Sequence, residues 1–190
     1  MENTPGRIVK EFTTKSGKRA VIRYPTMADA EDLWRHINAV SAEDTFITFS
    51  GEVLTLDEET KYLSSELQLI LEHKAVKLFC YVDGVFAGVC DIHRHEQKKK
   101  RGSHVGIFGL VIGKDYRGDG IGYTLAQTTI DEAKATMENL RLVILECFAS
   151  NEAAMHLYSK LGFKEVGRLP KSLWFHEEYI DEVMMALPLA

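Results

Sequence analysis

The sequence is short of several things, and each shortage closes off a class of protein. Its three cysteines, Cys80, Cys90 and Cys147, sit in apolar strand-like runs and form no Cys-x-x-Cys pair. An odd number so placed reads as reduced core residues, not as a disulfide framework. No apolar run approaches the roughly 20 residues of a membrane span, and the polar N-terminus lacks the apolar core of a signal peptide. The expectation is a cytoplasmic protein that stays out of the membrane. Positive charge is also in deficit, with 23 Lys and Arg against 28 Asp and Glu for a net charge of −5, which argues against general nucleic-acid binding. The one basic run, Lys98 to Arg101, reads as a solvated hairpin tip. Internal repeats, linkers and low-complexity stretches are missing as well.

What is present is an ordinary globular composition, 45% hydrophobic and 27% charged over 190 residues, enough for one domain with its own core. Residues 1–18 are polar and expected to fray, although Ile8 to Phe12 suits a short edge strand. A single domain is expected over residues 19–190. Arg19 to Tyr24 predicts a strand ended by Pro25, and Thr26 predicts the cap of a helix reaching about Val40. The loop from Ser41 to Thr55 carries Glu43, Asp44, Phe46, Phe49 and Glu52, more apolar than a connector requires. Thr55 predicts the cap of a second helix with Asp57, Glu58 and Glu59 in its first turn. The period then changes to that of strands, Val76 to Val82 and Val85 to His93, around the turn Asp83-Gly84. Glu96 to Gly102 reads as the next turn, and Ser103 to Ile112 as a central strand. After a long helix, the nearly continuous apolar run Leu142 to Phe148 predicts a strand covered on both faces. A helix opened by Asn151 and two closing strands, Phe163 to Val166 and Ile180 to Leu187, complete the chain. This order predicts an α/β fold with a mixed sheet.

The most informative stretch is Phe108 to Gly122, a buried strand, a glycine-rich turn and the start of the long helix. Ile121, Leu125, Thr129, Ala133 and Met137 recur every fourth residue along that helix and share one face. Gly118, Gly120 and Gly122 leave no side chains over its entrance, and Arg117 stands just before it. Unpaired N–H groups, the positive end of the helix dipole and a guanidinium together favour a phosphate. A P-loop is excluded, because no Gly-Lys-Ser or Gly-Lys-Thr follows the glycines. The spacing also departs from a Gly-x-Gly-x-x-Gly dinucleotide fingerprint. On the residues alone, glycines for close helix packing are the alternative.

The pattern Arg117-Gly118-x-Gly120-Ile121-Gly122 resembles the pyrophosphate loop of the GNAT N-acetyltransferases, a family that binds acetyl-coenzyme A. A second stretch also resembles that family: Glu146, Ala149-Ser150-Asn151, Ala154, then Leu157-Tyr158 and Leu161-Gly162-Phe163. Together with the ending Met184-x-Ala186-Leu187-Pro188, it is similar to ribosomal-protein alanine acetyltransferases and small-amine acetyltransferases. The resemblance implies a single-domain fold with a mixed, mostly antiparallel central sheet of about six to seven strands flanked by about four helices. It implies binding of the coenzyme by the backbone of Leu110, Val111 and Ile112, by Arg117, Gly118, Asp119, Gly120, Ile121 and Gly122, and by Asn151. It also implies transfer of the acetyl group to a primary amine, on a small molecule or a protein N-terminus, by direct attack in a ternary complex. The departure at Gly113-Lys114, where the family often has a proline, predicts a looser turn.

The chemistry sets what the site requires. An alkyl amine with a pKa near 10.4 is neutral in only about one molecule in 2,500 at pH 7, so a base relieves the nucleophile and an acid helps the departing thiolate. The resemblance assigns the acid to Tyr158, seven residues after Asn151 and about two helical turns along the same face. Glu146 is the candidate base, acting through water. It is the lone acid of an apolar strand, where burial would raise its pKa; a strand-end salt bridge is its alternative. An N–H near Ile112 is expected to polarise the thioester carbonyl. His93, His95 and His104 have no zinc-site spacing and read as ordinary surface histidines, so no metal is expected. The acceptor is expected between the Ser41–Thr55 loop and the Gly167–Tyr179 segment, against Phe46, Phe49, Trp174 and Phe175. Exposed aromatics near the C-terminus permit a homodimer. A coenzyme-binding sensor without turnover is the competing reading.

Overall fold

The computed structural model describes residues 4–95 and 100–189. The turn expected over residues 96–102 therefore lies partly outside the described residues, and only 100–102 are seen, in a 3-10 turn. The chain falls into two compact units, one holding residues up to His93 together with Gly109–Glu138, the other Arg94–Phe108 and the chain from Asn139 onward.

The first unit begins with β1 (Ile8–Thr13) and β2 (Arg19–Arg23), followed by α1 (Ala30–Ser41), α2 (Leu56–Leu71), β3 (Ala75–Val82) and β4 (Val85–Arg94). The second half of β5 (Val105–Ile112) and α3 (Ile121–Thr136) complete it. Its strands run in the order β1-β2-β3-β4-β5. The β1–β2, β2–β3 and β3–β4 pairs are antiparallel. Every residue of β3 is buried, because α2 and α3 both pack on it. Strand alternation sends Lys77 and Asp91 toward α2, while Cys90 meets Thr129 of α3. The expected cap at Thr55 forms a box with Glu58, whereas Thr26 donates to Asp29 at a 3-10 turn over Met27–Asp29 that leads into α1.

The second unit takes the first half of β5, then β6 (Leu142–Phe148), α4 (Glu152–Lys160), β7 (Lys164–Phe175) and β8 (Glu178–Pro188). Its order is β5-β6-β8-β7, with β5 and β6 parallel and the β6–β8 and β7–β8 pairs antiparallel. The fold is thus α/β with, among the described residues, four α-helices and a mixed, mostly antiparallel set of strands, as expected, but the strands number eight. The added one is β1, the edge strand that Ile8 to Phe12 suits, which pairs with β2. The closing strands are also far longer than expected, so Gly167–Tyr179 is mostly hairpin. Strand β6 buries Val143, Leu145 and Cys147 but leaves Glu146 exposed on its other face. The expectation of cover on both faces is therefore corrected. Among the described residues no helix is long and apolar enough to cross a membrane.

One feature of the first unit ran against the sequence pattern. The Lys77 ammonium, 2% exposed, is held by Tyr62 Oη at 2.8 Å, Asp91 Oδ2 at 2.8 Å and Glu66 Oε2 at 3.0 Å. His93 closes the cluster, with Nε2 2.6 Å from Glu66 and Nδ1 3.3 Å from Asp91. It is no ordinary surface histidine. Burial alone would lower its pKa, but the hydrogen bonds to Asp91 and Glu66 outweigh that and raise it to about 9. Because the folded value lies above the ordinary 6.5, the stabilisation is complete below about pH 6.5 and is lost as the pH rises through about 9. Denaturant titrations between pH 6 and pH 10 should therefore show a loss of about 1–3 kcal/mol that His93→Gln removes. An equal decline in the variant would show that His93 does not carry it.

Candidate functional site

The glycine-rich turn is built by contacts from distant parts of the first unit. Strand β4 approaches β5 closely at Gly88, where an added Cβ would lie 2.6 Å from Ile112 Cδ1 and 2.7 Å from the Val111 carbonyl oxygen. Gly113 N–H donates to the Ala87 carbonyl at 2.9 Å. The chain then makes a 3-10 turn over Lys114–Tyr116, with Gly113 just before it. Arg117 is extended; its Nε donates to the Ile112 carbonyl at 2.9 Å and its Nη1 donates to Glu43 Oε2 at 2.7 Å.

Helix α3 starts at Gly120, which adopts φ +84° and offers no side-chain cap, and the first turn carries no acid. A left-handed residue is needed there to swing the chain from the turn into the helix, and only glycine takes that conformation without penalty. The first N–H groups of such a helix have no partner within it. Asp119 does not face this opening. Its carboxylate accepts from Ser16 N at 2.7 Å and Ser16 Oγ at 2.7 Å, and its carbonyl accepts from Lys15 N at 3.2 Å. The Ser16 bonds hold its pKa below the usual carboxylate range. The Lys15 stem lies across Gly120, 3.5 Å from where a Cβ would be. The structure thus brings Arg117, Gly118, Gly120, Ile121 and Gly122 together at one helix start and turns the Asp119 side chain into a brace.

Sequence reasoning missed four contributors: Lys15, Ser16, His36 and Glu43. No local pattern marks them, because each reaches the turn from more than 70 residues away in sequence. His36 on α1 is buried beside Val111, whose backbone it hydrogen-bonds, and its ring sits 4.9 Å from Phe86. Burial pushes its pKa down to about 4, so it is neutral at pH 7. Its Nε2 has no partner among the described residues.

In the second unit, Asn151 is the N-cap of α4, its Oδ1 accepting from Ala154 N at 3.1 Å. Tyr158 is buried, edge-on to Phe108 of β5 at 5.7 Å and to Phe163 at 6.1 Å. Glu146 lies on β6 opposite Met184, on the face of Ile144 and Phe148 as alternation predicts. Its exposure removes the argument that burial tunes it as a base. Burial pushes the Cys147 thiol up to about 11, which keeps it from serving as a nucleophile. As for metals, Glu66, Asp91 and His93 could offer converging ligand atoms, but the Lys77 ammonium already sits against both carboxylates. An ion would have to displace it.

Comparison with known proteins bears directly on this arrangement. Residues 40–163, more than half of the chain, match the acetyltransferase (GNAT) family. The chain belongs to that family. Among solved structures, a GNAT-family acetyltransferase from Streptococcus pneumoniae superposes with a TM-score of 0.81 at 30% identity, covering 90% of this chain and 99% of its own. Among curated proteins, the spermidine N(1)-acetyltransferase of Escherichia coli K12 is 28% identical over 105 residues, 55% of this chain and 54% of that protein. The ribosomal protein bS18 alanine N-acetyltransferase of the same organism is 32% identical over 84 residues, 44% of this chain and 55% of that protein. The chain spans about half the length of the curated relatives it matches.

The Asn151 cap yields a direct test. Asn151→Ala removes one side-chain acceptor from α4 and should cost about 0.5–2 kcal/mol in denaturant unfolding. If capping is its whole role, coenzyme affinity stays unchanged. A tenfold loss of affinity in the variant, under conditions where it is fully folded, would instead support its place on the ligand.

Proposed function

We propose that this GNAT-family chain, with β1 and its turn joined to the domain expected over residues 19–190, is a cytoplasmic N-acetyltransferase. It moves the acetyl group of acetyl-coenzyme A to a primary amine by direct attack in a ternary complex. The observation that carries this reading is the open start of α3: left-handed Gly120, no side-chain cap, no first-turn acid and Arg117 beside it. Those features suit a pyrophosphate, which the backbone N–H groups and the guanidinium would hold.

The remaining roles follow from the chemistry. Acetyl-coenzyme A supplies an activated thioester. The β5 backbone at Leu110, Val111 and Ile112 binds the pantetheine arm, and an N–H near Ile112 stabilises charge on the thioester oxygen. Asn151 contributes beside its capping bond. Tyr158 donates its proton to the departing thiolate, which its packing against Phe108 and Phe163 supports by fixing the ring. Glu146, being exposed, relays the amine's proton through water. The acceptor is a primary amine of a small molecule or a protein N-terminus, the two chemistries that the names of the matched relatives carry.

The test is thiol release from acetyl-coenzyme A across amino acids, polyamines, aminoglycosides and short peptides. Release is expected with one amine class, falling about 10²–10⁴-fold in Tyr158→Phe with coenzyme affinity retained. Coenzyme binding without release on any amine would favour a sensor.

A further inference from the structure

Arg117 brings hydrogen-bond donors to the start of α3 but no free charge. Its Nη1 donates to Glu43 Oε2 at 2.7 Å, so the guanidinium is already paired. Asp119 adds a negative charge to the same loop. An anion would therefore meet no net positive charge from these three side chains. The unpaired cation lies outside the loop, on the turn between β1 and β2. Among the described residues no acid pairs with the Lys15 ammonium. Its methylenes lie across Gly120, with Cε 3.5 Å, Cγ 3.6 Å and Cδ 3.8 Å from where a Cβ would stand.

This placement is fixed by hydrogen bonds that do not use the lysine's charge. Lys15 N donates to the Asp119 carbonyl at 3.2 Å, and Ser16 N and Oγ each donate to the Asp119 carboxylate at 2.7 Å. Within the turn, Thr14 N donates to the Lys18 carbonyl at 2.9 Å and Gly17 N donates to the Thr14 carbonyl at 3.0 Å. The turn thus docks as a unit and carries the lysine stem over the left-handed residue from which the helix begins.

We propose that Lys15 is a second cation for the coenzyme's pyrophosphate, delivered to the start of α3 by the β1–β2 turn. The inference rests on the coenzyme reading above and adds to it a residue outside the glycine-rich loop. The N–H groups of a helix start amount to roughly half a charge, whereas an ammonium supplies a whole one with three donors. The stem can stay packed on Gly120 while the ammonium leans over a phosphate seated there. Asp119 is then a positioning residue, since its carboxylate is taken up by the Ser16 bonds that hold the turn in place.

Calorimetry with coenzyme A and with its dephospho form, which lacks the 3′-phosphate but keeps the pyrophosphate, tests the assignment. Lys15→Met keeps the stem and removes the charge. It should weaken both ligands by the same factor, roughly three- to tenfold, and added salt should narrow its difference from the wild type. Lys15→Arg should stay within about twofold of the wild type, as should Lys18→Met, which loses the same charge from the same turn. Unfolding midpoints should match the wild type in all three variants. Equal binding by Lys15→Met, an equal loss in Lys18→Met, or a loss seen with coenzyme A but not with the dephospho form overturns the proposal. A wild type that binds neither ligand overturns the coenzyme reading itself, a separate outcome.

Discussion

A helix that begins without a cap is the feature on which the candidate site depends. Most helices satisfy their first N–H groups with a Ser, Thr, Asp or Asn side chain, and replacing such a residue by glycine costs only a few tenths of a kcal/mol. Gly120 makes that small sacrifice at the start of α3. The helix holds regardless, because Ile121, Leu125, Ala126, Ile130 and Ala133 bury its underside. What the open start lacks in local support is supplied by polar braces around it: Asp119 to the β1–β2 turn and Arg117 to the end of β5. Packing thus stabilises the helix while its first turn stays available to an anion.

Elements with their own signals were legible in the sequence. The α1 and α2 starts, the Asp83-Gly84 hairpin, the β5–turn–α3 unit and the Asn151 cap each rest on residues a few positions apart, and each formed where its pattern stood. The family pattern lay in the same stretches. What was not legible depends on partners far along the chain. Strand β1 was legible as an edge strand over Ile8 to Phe12, but that its turn braces the start of α3 was not, because that contact reaches Asp119 from Ser16. Glu66 and Lys77 carry no local signal of burial, yet both are buried side by side, 3.0 Å apart. A single buried charge would be costly, whereas two carboxylates and two cations that satisfy one another are tolerated.

Glu146 shows the opposite failure. An acid amid Val143, Ile144, Leu145 and Cys147 suggested burial, but only one face of β6 is fully covered, and the carboxylate lies on the other, between half-buried Ile144 and Phe148. Strand alternation correctly assigned its face; what was missing was which face the neighbours cover. Tyr158 was easier, since its helix stripe and the Leu161-Gly162-Phe163 ending fix its ring among aromatics whatever its chemical role. For Tyr158 the pattern that marks the family also packs the core, so sequence identifies the position without separating the two duties.

The brace between Ser16 and Asp119 has a consequence for how the molecule matures. It closes a contact across 103 residues, and the Glu43–Arg117 pair closes one across 74. Contacts of such long range form late, after local helices and hairpins. Helix α3 can therefore exist well before its entrance has a fixed shape, since the entrance waits for the N-terminal hairpin to dock. The shape of the α3 entrance is therefore completed by residues of the β1–β2 turn, more than a hundred positions away in the chain.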